Sequence, residues 1–226
     1  MEYSVASVDS FVIYFGQKIG SEVAREVRRV FYTLKEAKVE GITELIPSYT
    51  SIMVSYDFMQ FSYEQICKKV EEALEHAEEF YKETASRCII LPVYYGEDVG
   101  LDLADMAKDK KMSMQEIIDI HSRKEYFVYA IGFAPGFPYM GEVDESIATA
   151  RLANPRGKIP KGSVGIADRQ TAVYPRQSPG GWNIIGRTPV EMFDTSYQGF
   201  SYFKVGDKIK FMPISKDEFI KEGGQL

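Results

Sequence analysis

The stretch EYFVYAIGFAPGFPYMG, residues 125–141, decides how this chain is read. Its first half is an aromatic and aliphatic run without charge after Glu125, the pattern of a buried strand. Its second half, FAPGFPYMG, packs two prolines, two glycines, two phenylalanines and a tyrosine into residues 133–141 with no charge. Proline fixes φ and removes a donor, whereas glycine admits positive φ. The segment is too broken for a helix or central strand and too apolar for an ordinary solvated loop. From here to the C-terminus helical periodicity disappears. Short apolar stretches (GSVGIA, TAVYP, WNIIGRT, FKVGDKIKFMPI) are divided by Gly, Pro and Asn, which suits a closed β-barrel or a sandwich.

Upstream the texture changes. CIILPVYYG, 88–96, has a buried-strand pattern, and LDLADMAKDK and SMQEIIDIHSR read as short helices, the second opened by the capping box Ser113 and Glu116. Before residue 84, segments 2–8 and 10–15 read as strands. SEVAREVRRVFYTLKEAK, 21–38, sets Val23, Val27, Val30, Phe31 and Leu34 at helical spacing. Residues 42–57 return to strand chemistry, broken at Pro47. SYEQICKKVEEALEHAEEFYKE, 62–83, opens with the capping box Ser62 and Gln65 and stripes Ile66, Val70, Leu74 and Ala77 along one face. The expected fold class is α+β: an N-terminal ββαββα domain over 1–84 and a β-barrel domain over 85–226. His76, amid Glu75, Glu78 and Glu79, reads as part of a solvated helix face.

The chain has 226 residues and a net charge of −6, unevenly placed. Residues 1–84 carry the whole excess, whereas 151–187 hold seven Lys/Arg against Asp168 alone. A cationic segment in an acidic protein suits an anionic small molecule or an acidic partner surface. Nucleic acid is disfavoured, since the molecule as a whole repels phosphate backbones. The N-terminal residues lack signal-peptide chemistry, and no apolar run approaches the ~18–20 residues of a membrane span, so a cytoplasmic protein without membrane contact is expected. Cys67 and Cys88, far apart, suit a reducing compartment as small core residues. With two histidines and scattered carboxylates, no metal site is expected.

Four segments carry candidate chemistry. In FAPGFPYMG, Phe133, Pro135, Gly136 and Phe137 form either a stiff pocket wall or a barrel corner whose aromatics plug the core. In SPGGWNIIGRTP, 178–189, the loop residues Ser178, Gly180 and Gly181 either leave backbone N–H groups open to an anion or form a plain turn. Trp182 there is a core residue or a stacking platform, Asn183 a polar positioner, and Arg187 a fork for carboxylate or phosphate. In NPRGKIPKGSVGIADRQTAVYP, 154–175, Arg156 and Lys161 are anion candidates, and Gln170 and Tyr174 polar positioners; the alternative is solvated surface charge. His121, late on its helix, is either a general acid/base or a histidine satisfied at a helix C-terminus.

These motifs, read as Phe127 to Gly141, Arg151 to Pro189 and MFD at 192–194, resemble the carboxyltransferase-like family once labelled allophanate hydrolase subunit 1. Its members include the B subunit of bacterial ATP-dependent 5-oxoprolinase and KipI, an inhibitor of a sporulation sensor kinase. The resemblance covers nearly the whole chain and is tightest between 127 and 194. It implies a cyclophilin-like barrel, partner subunits A and C, ATP used by the assembly, and opening of 5-oxoproline to glutamate. Residue chemistry together with this resemblance makes Arg156, Lys161 and Arg187 the candidates for substrate charges and His121 a candidate proton carrier. The alternative it carries is docking on a sensor histidine kinase, with the apolar loop as anchor.

Overall fold

The computed structural model describes residues 1–77, 87–196 and 201–226, and the chain divides into two units, Met1–Ala85 and Ser86–Leu226. In the first, β1 (Glu2–Ser7), β2 (Ser10–Tyr14), α1 (Ser21–Ala37), β3 (Ile42–Pro47), β4 (Ser51–Tyr56) and α2 (Tyr63–Glu75) follow in order. The strands form an antiparallel sheet in the order β1-β2-β4-β3. Strand residues alternate faces, and the register sets Phe11 opposite Val54 and Ile13 opposite Ile52 on one of them. That face packs on Val27, Val30 and Leu34 of α1 and on Ile66 and Val70 of α2. Each such fully buried aliphatic side chain contributes about 1.5–3 kcal/mol.

The Ser62 hydroxyl accepts the Gln65 backbone N–H at 3.3 Å, and the Gln65 side chain accepts that of Ser62 at 2.8 Å. This closed box starts α2 and is worth about 1 kcal/mol. The part of the expected helix beyond residue 77 lies outside the described residues.

In the second unit β5 (Cys88–Tyr94) leads to α3 (Leu103–Lys110) and α4 (Met114–Ser122), the latter capped by Ser113 and Glu116. Then come β6 (Glu125–Ile131), β7 (Pro138–Gly141), β8 (Arg156–Ile159), β9 (Ser163–Ala167), β10 (Gln170–Val173), β11 (Ser178–Gly180), β12 (Asn183–Arg187), β13 (Lys208–Ile214) and α5 (Lys216–Lys221). Seven strands close a barrel in the order β10-β7-β6-β13-β5-β12-β9, while β8 and β11 form a separate ribbon. The β13–β5 pair is parallel and the remaining barrel pairs are antiparallel. Closure pairs every barrel strand on both sides, so no edge is left in this sheet. Leu91, Val128, Ile166 and Phe211 fill the interior together with Met106 of α3 and Ile117 of α4. Among the described residues no helix is long and apolar enough to cross a membrane.

Three local readings are corrected. The second half of FAPGFPYMG is strand β7, with Pro138 paired to Ile131 and Met140 to Val128. Proline is tolerated there because it opens the strand. SPGGWNIIGRTP is not a loop but β11 followed by the whole of β12, so that only Gly181 and Trp182 link the two strands. Gly186 stands inside β12 because a Cβ would lie 2.8 Å from the Tyr94 carbonyl oxygen, so only glycine lets the neighbouring strand approach. Cys88 is exposed at the start of β5 and Cys67 is half-buried, so neither is a full core residue.

Candidate functional site

The β6–β7 connection, residues 132–137, is tied to itself. Gly132 N–H donates to the Phe137 carbonyl at 3.1 Å, Phe137 N–H to that of Ala134 at 3.0 Å, and Ala134 N–H to that of Gly132 at 2.7 Å. Gly136 has φ +82 and presses on the MFD segment: a Cβ there would stand 2.8 Å from the Met192 carbonyl oxygen. Phe133 adopts φ +65 while remaining 65% exposed. A bulky residue in the left-handed region costs about 1–3 kcal/mol, and burial of this ring does not offset it.

Phe137, buried, is the hub of an aromatic cluster. Its ring centroid lies 4.9 Å from Tyr139, 5.2 Å from Tyr174, 5.7 Å from Trp182 and 5.3 Å from Phe133. Offset and edge-on pairs of this kind add about 0.5–1.5 kcal/mol each beyond burial. Ala134, Ile159, Ala172 and Ile184 form its apolar floor. The Tyr174 hydroxyl takes a hydrogen bond from the Trp182 backbone, and burial pushes its pKa up to about 12. A Cβ on Gly180 would fall 2.3 Å from that hydroxyl, so glycine is required where β11 crosses it. FAPGFPYMG and SPGGW thus fold into one packed aromatic cluster at the barrel, with Phe137, Tyr174 and Trp182 buried, Tyr139 half-buried and Phe133 exposed.

A third segment joins them. The Asn183 side-chain amide donates to the Ala150 carbonyl at 2.8 Å and the Ile166 carbonyl at 3.1 Å. The Leu152 N–H donates to the Gly181 carbonyl at 2.7 Å. Arg151, between these two anchors, places its guanidinium 5.8 Å from the Trp182 ring centroid. Its charge reaches the Tyr139 and Tyr174 hydroxyls, opposing the burial that raises both.

The cations selected from the sequence do not share this place. Arg156 forms a fork with Asp102, at 2.6 and 2.8 Å, and Asp102 also accepts the Ile184 N–H at 2.6 Å. Lys161 pairs with Glu191 on the exposed surface. Arg187, 6% exposed at the far end of β12 from Trp182, donates to the Gln225 carbonyl at 2.7 Å. The three assigned to substrate charges have three separate protein partners. Gln170, half-buried, opens β10 opposite Ala167 and Gly141. Pro135 is exposed, and the Ser178 hydroxyl is buried with no hydrogen-bond partner among the described residues. Ser178 and Gly180 sit in a ladder with Ile159 and Arg156, a strand pairing in place of the expected anion nest.

His121 lies in the barrel core rather than at a surface. The Thr171 hydroxyl donates to the Gly165 carbonyl at 3.1 Å, so it accepts from His121 Nε2–H at 3.0 Å. Nδ1 then accepts from the Tyr95 hydroxyl at 2.9 Å. Phe211 stacks on the ring with centroids 4.4 Å apart. Burial lowers its pKa to about 3, which keeps it neutral and satisfied. Among the described residues no group of three or more His, Cys, Asp or Glu stands together as a metal site. Open clefts of about 500, 460 and 380 Å³ are lined by residues of the N-terminal unit and by none of the motif residues above.

Sequence reasoning missed Arg151, Tyr139 and Asp102. Arg151 lay in plain view within the cationic segment, but nothing in its spacing set it apart from six like charges.

The family described as carboxyltransferase domain, subdomain C and D, matches residues 1–203. The 5-oxoprolinase B subunit of Bacillus subtilis (strain 168) is 39% identical over 220 residues, 93% of this chain and 91% of that protein. That of Haemophilus influenzae is 38% identical over 173 residues, 76% of this chain and 80% of that protein. The solved structure of TTHA0988 superposes with a TM-score of 0.80 at 29% identity, over 91% of this chain; the chain spans only 40% of that longer one. The chain belongs to the carboxyltransferase domain family, subdomains C and D.

Proposed function

We propose that this chain is the B subunit of a cytoplasmic 5-oxoprolinase, built on a cyclophilin-like barrel and working with partner subunits A and C. The observation that carries the reading is the convergence of FAPGFPYMG and SPGGW on one aromatic cluster, in a chain about two-fifths identical to proteins named as the B subunit of 5-oxoprolinase. A lactam is a poor electrophile because its nitrogen lone pair is delocalised into the carbonyl. Opening it in water needs activation of the amide oxygen and a site that holds a small ring away from solvent. Phe133 and Tyr139 supply such a wall, backed by the buried rings of Phe137, Tyr174 and Trp182. The bonds within residues 132–137 keep it stiff, so little order is lost on binding.

ATP is the expected activating group of the assembly, and the cations selected for it in this chain have partners within the protein. Arg156, Lys161 and Arg187 are engaged by the protein, and the Ser178–Gly180 segment is a strand in place of a phosphate cradle. In this reading the nucleotide is assigned to the partner subunits, and no turnover is expected from the chain alone. Exposed Phe133 is the side chain this loop presents to them.

The test is co-expression with subunits A and C, following 5-oxoproline-dependent ATP hydrolysis and glutamate formation. The reading requires turnover with all three chains and none when this one is omitted. Turnover at full rate from A and C alone, or none from the three together, refutes it.

A further inference from the structure

We infer that Arg151, stacked over Trp182, is the carboxylate-binding residue of the cluster, and that the ligand it selects is a small cyclic amide bearing one carboxylate. The inference rests on the 5-oxoprolinase reading and deepens it. What sets Arg151 apart is its aromatic partner. Within the cationic segment Arg156, Lys161 and Arg169 are each matched by a carboxylate of the chain. Arg187 is buried with a backbone carbonyl on one nitrogen and none on Nε among the described residues, and Lys158 and Arg176 are exposed with no ion pair there. Arg151, itself exposed, is the one of the seven that the described residues place over an aromatic ring. Arg151 has an aromatic face beneath it and no carboxylate beside it among the described residues.

A guanidinium on an aromatic face is held by its plane, which leaves its N–H edge to fork a carboxylate with two parallel bonds. The backbone under Arg151 is fixed on both sides, by Asn183 at Ala150 and by Gly181 at Leu152, so the cation is placed by the same segment that supplies the wall. The hydroxyl ends of Tyr139 and Tyr174 lie within reach of its charge. A ligand with an apolar ring and one negative charge suits this arrangement: the ring lies on Phe133 and Tyr139, the cluster members that are not buried, and the carboxylate on Arg151. A polyanion does not, since a single unmatched cation touches the cluster.

Trp182 is the only tryptophan of the chain, so its fluorescence reports on this cluster directly. The experiment titrates the full chain, and the three-subunit assembly by calorimetry, with 5-oxoproline, its carboxamide and 2-pyrrolidinone. The variants are Arg151→Ala, Arg151→Lys and, as a control for lost charge in the same segment, Arg176→Ala. 5-Oxoproline is expected to bind the wild type at least tenfold more tightly than either uncharged lactam. Arg151→Ala removes that preference, Arg151→Lys restores part of it, and Arg176→Ala leaves it unchanged. Equal binding of 5-oxoproline by wild type and Arg151→Ala overturns the proposal, as does an absence of binding in both preparations. The ligand series needs no variant, so equal affinity for acid and carboxamide also overturns it. If the assembly still opens 5-oxoproline in those cases, the subunit reading stands and the carboxylate is read elsewhere. If Arg151-dependent binding appears without turnover by the assembly, the subunit reading falls and this site remains.

Discussion

The interior of the barrel around His121 and the cluster around Trp182 use the same materials: stacked aromatics, a hydroxyl and a basic side chain. They differ in where the polar groups end. In the interior both His121 nitrogens, the Thr171 hydroxyl and the Tyr95 hydroxyl bond one another, and Tyr126 donates to the His121 carbonyl. In the cluster the Arg151 guanidinium meets an aromatic face and no carboxylate among the described residues. A basic group satisfied by its own chain serves the fold, whereas one placed but unmatched is open to a ligand. The same contrast separates Arg156 from Arg151, neighbours in sequence with opposite surroundings.

The largest test of this contrast strikes the satisfied side. Asp102→Ala removes both bonds to Arg156 and leaves the Ile184 N–H without its acceptor. Because Arg156 is partly exposed, water recovers some of the loss, and the expected destabilisation is about 3 kcal/mol in urea unfolding. A loss under about 1 kcal/mol breaks the assignment of this pair to structure.

Next comes acid. His121 in the folded chain titrates at about 3, below its ordinary 6.5, so the unfolded chain takes up this proton first as pH falls. Its neutral form therefore supports the fold fully above pH 6.5, and that support fades as pH drops through the window toward 3, by about 2 kcal/mol at pH 5. Unfolding free energies of wild type and His121→Phe at pH 7 and 5 isolate it: the variant starts less stable but loses less between the two. Parallel losses mean that the imidazole is not held neutral.

A smaller effect is expected where the cluster depends on a close approach. Gly180→Ala drives a methyl onto the Tyr174 hydroxyl and onto Ile159, with a stability loss of about 1–2 kcal/mol and a shifted Trp182 emission maximum as the cluster reorganises. Unaltered emission with unaltered stability shows that the cluster is not this tight.

Much of the fold was legible because it rests on local rules. Val27, Val30 and Leu34 recur at helical spacing, and Ser62 with Gln65 and Ser113 with Glu116 close boxes that need only three residues of separation. Strands broken by Gly and Pro were not, because β7 and β11 owe their pairing to neighbouring strands and lack a pattern of their own. The candidate site was legible as two aromatic, glycine-rich segments, and their meeting at Phe137 and Trp182 follows from the barrel order. The charges were not. Arg156 finds Asp102 across 54 residues, and no spacing announces such a partner. His121 was readable in hindsight: Ile117, Ile118 and His121 share the buried stripe of α4, so its ring had to turn inward.

The most direct measurement of the central claim sets Arg151→Ala beside Arg156→Ala in the three-subunit assembly, with thermal midpoint and kcat/KM for 5-oxoproline read on both. Arg151→Ala should keep its midpoint within about 1–2 °C and lose at least tenfold in kcat/KM, about 1.4 kcal/mol of transition-state binding. Arg156→Ala should lose several degrees. The reverse pattern, a stable and slow Arg156 variant beside an unstable and active Arg151 variant, contradicts the account.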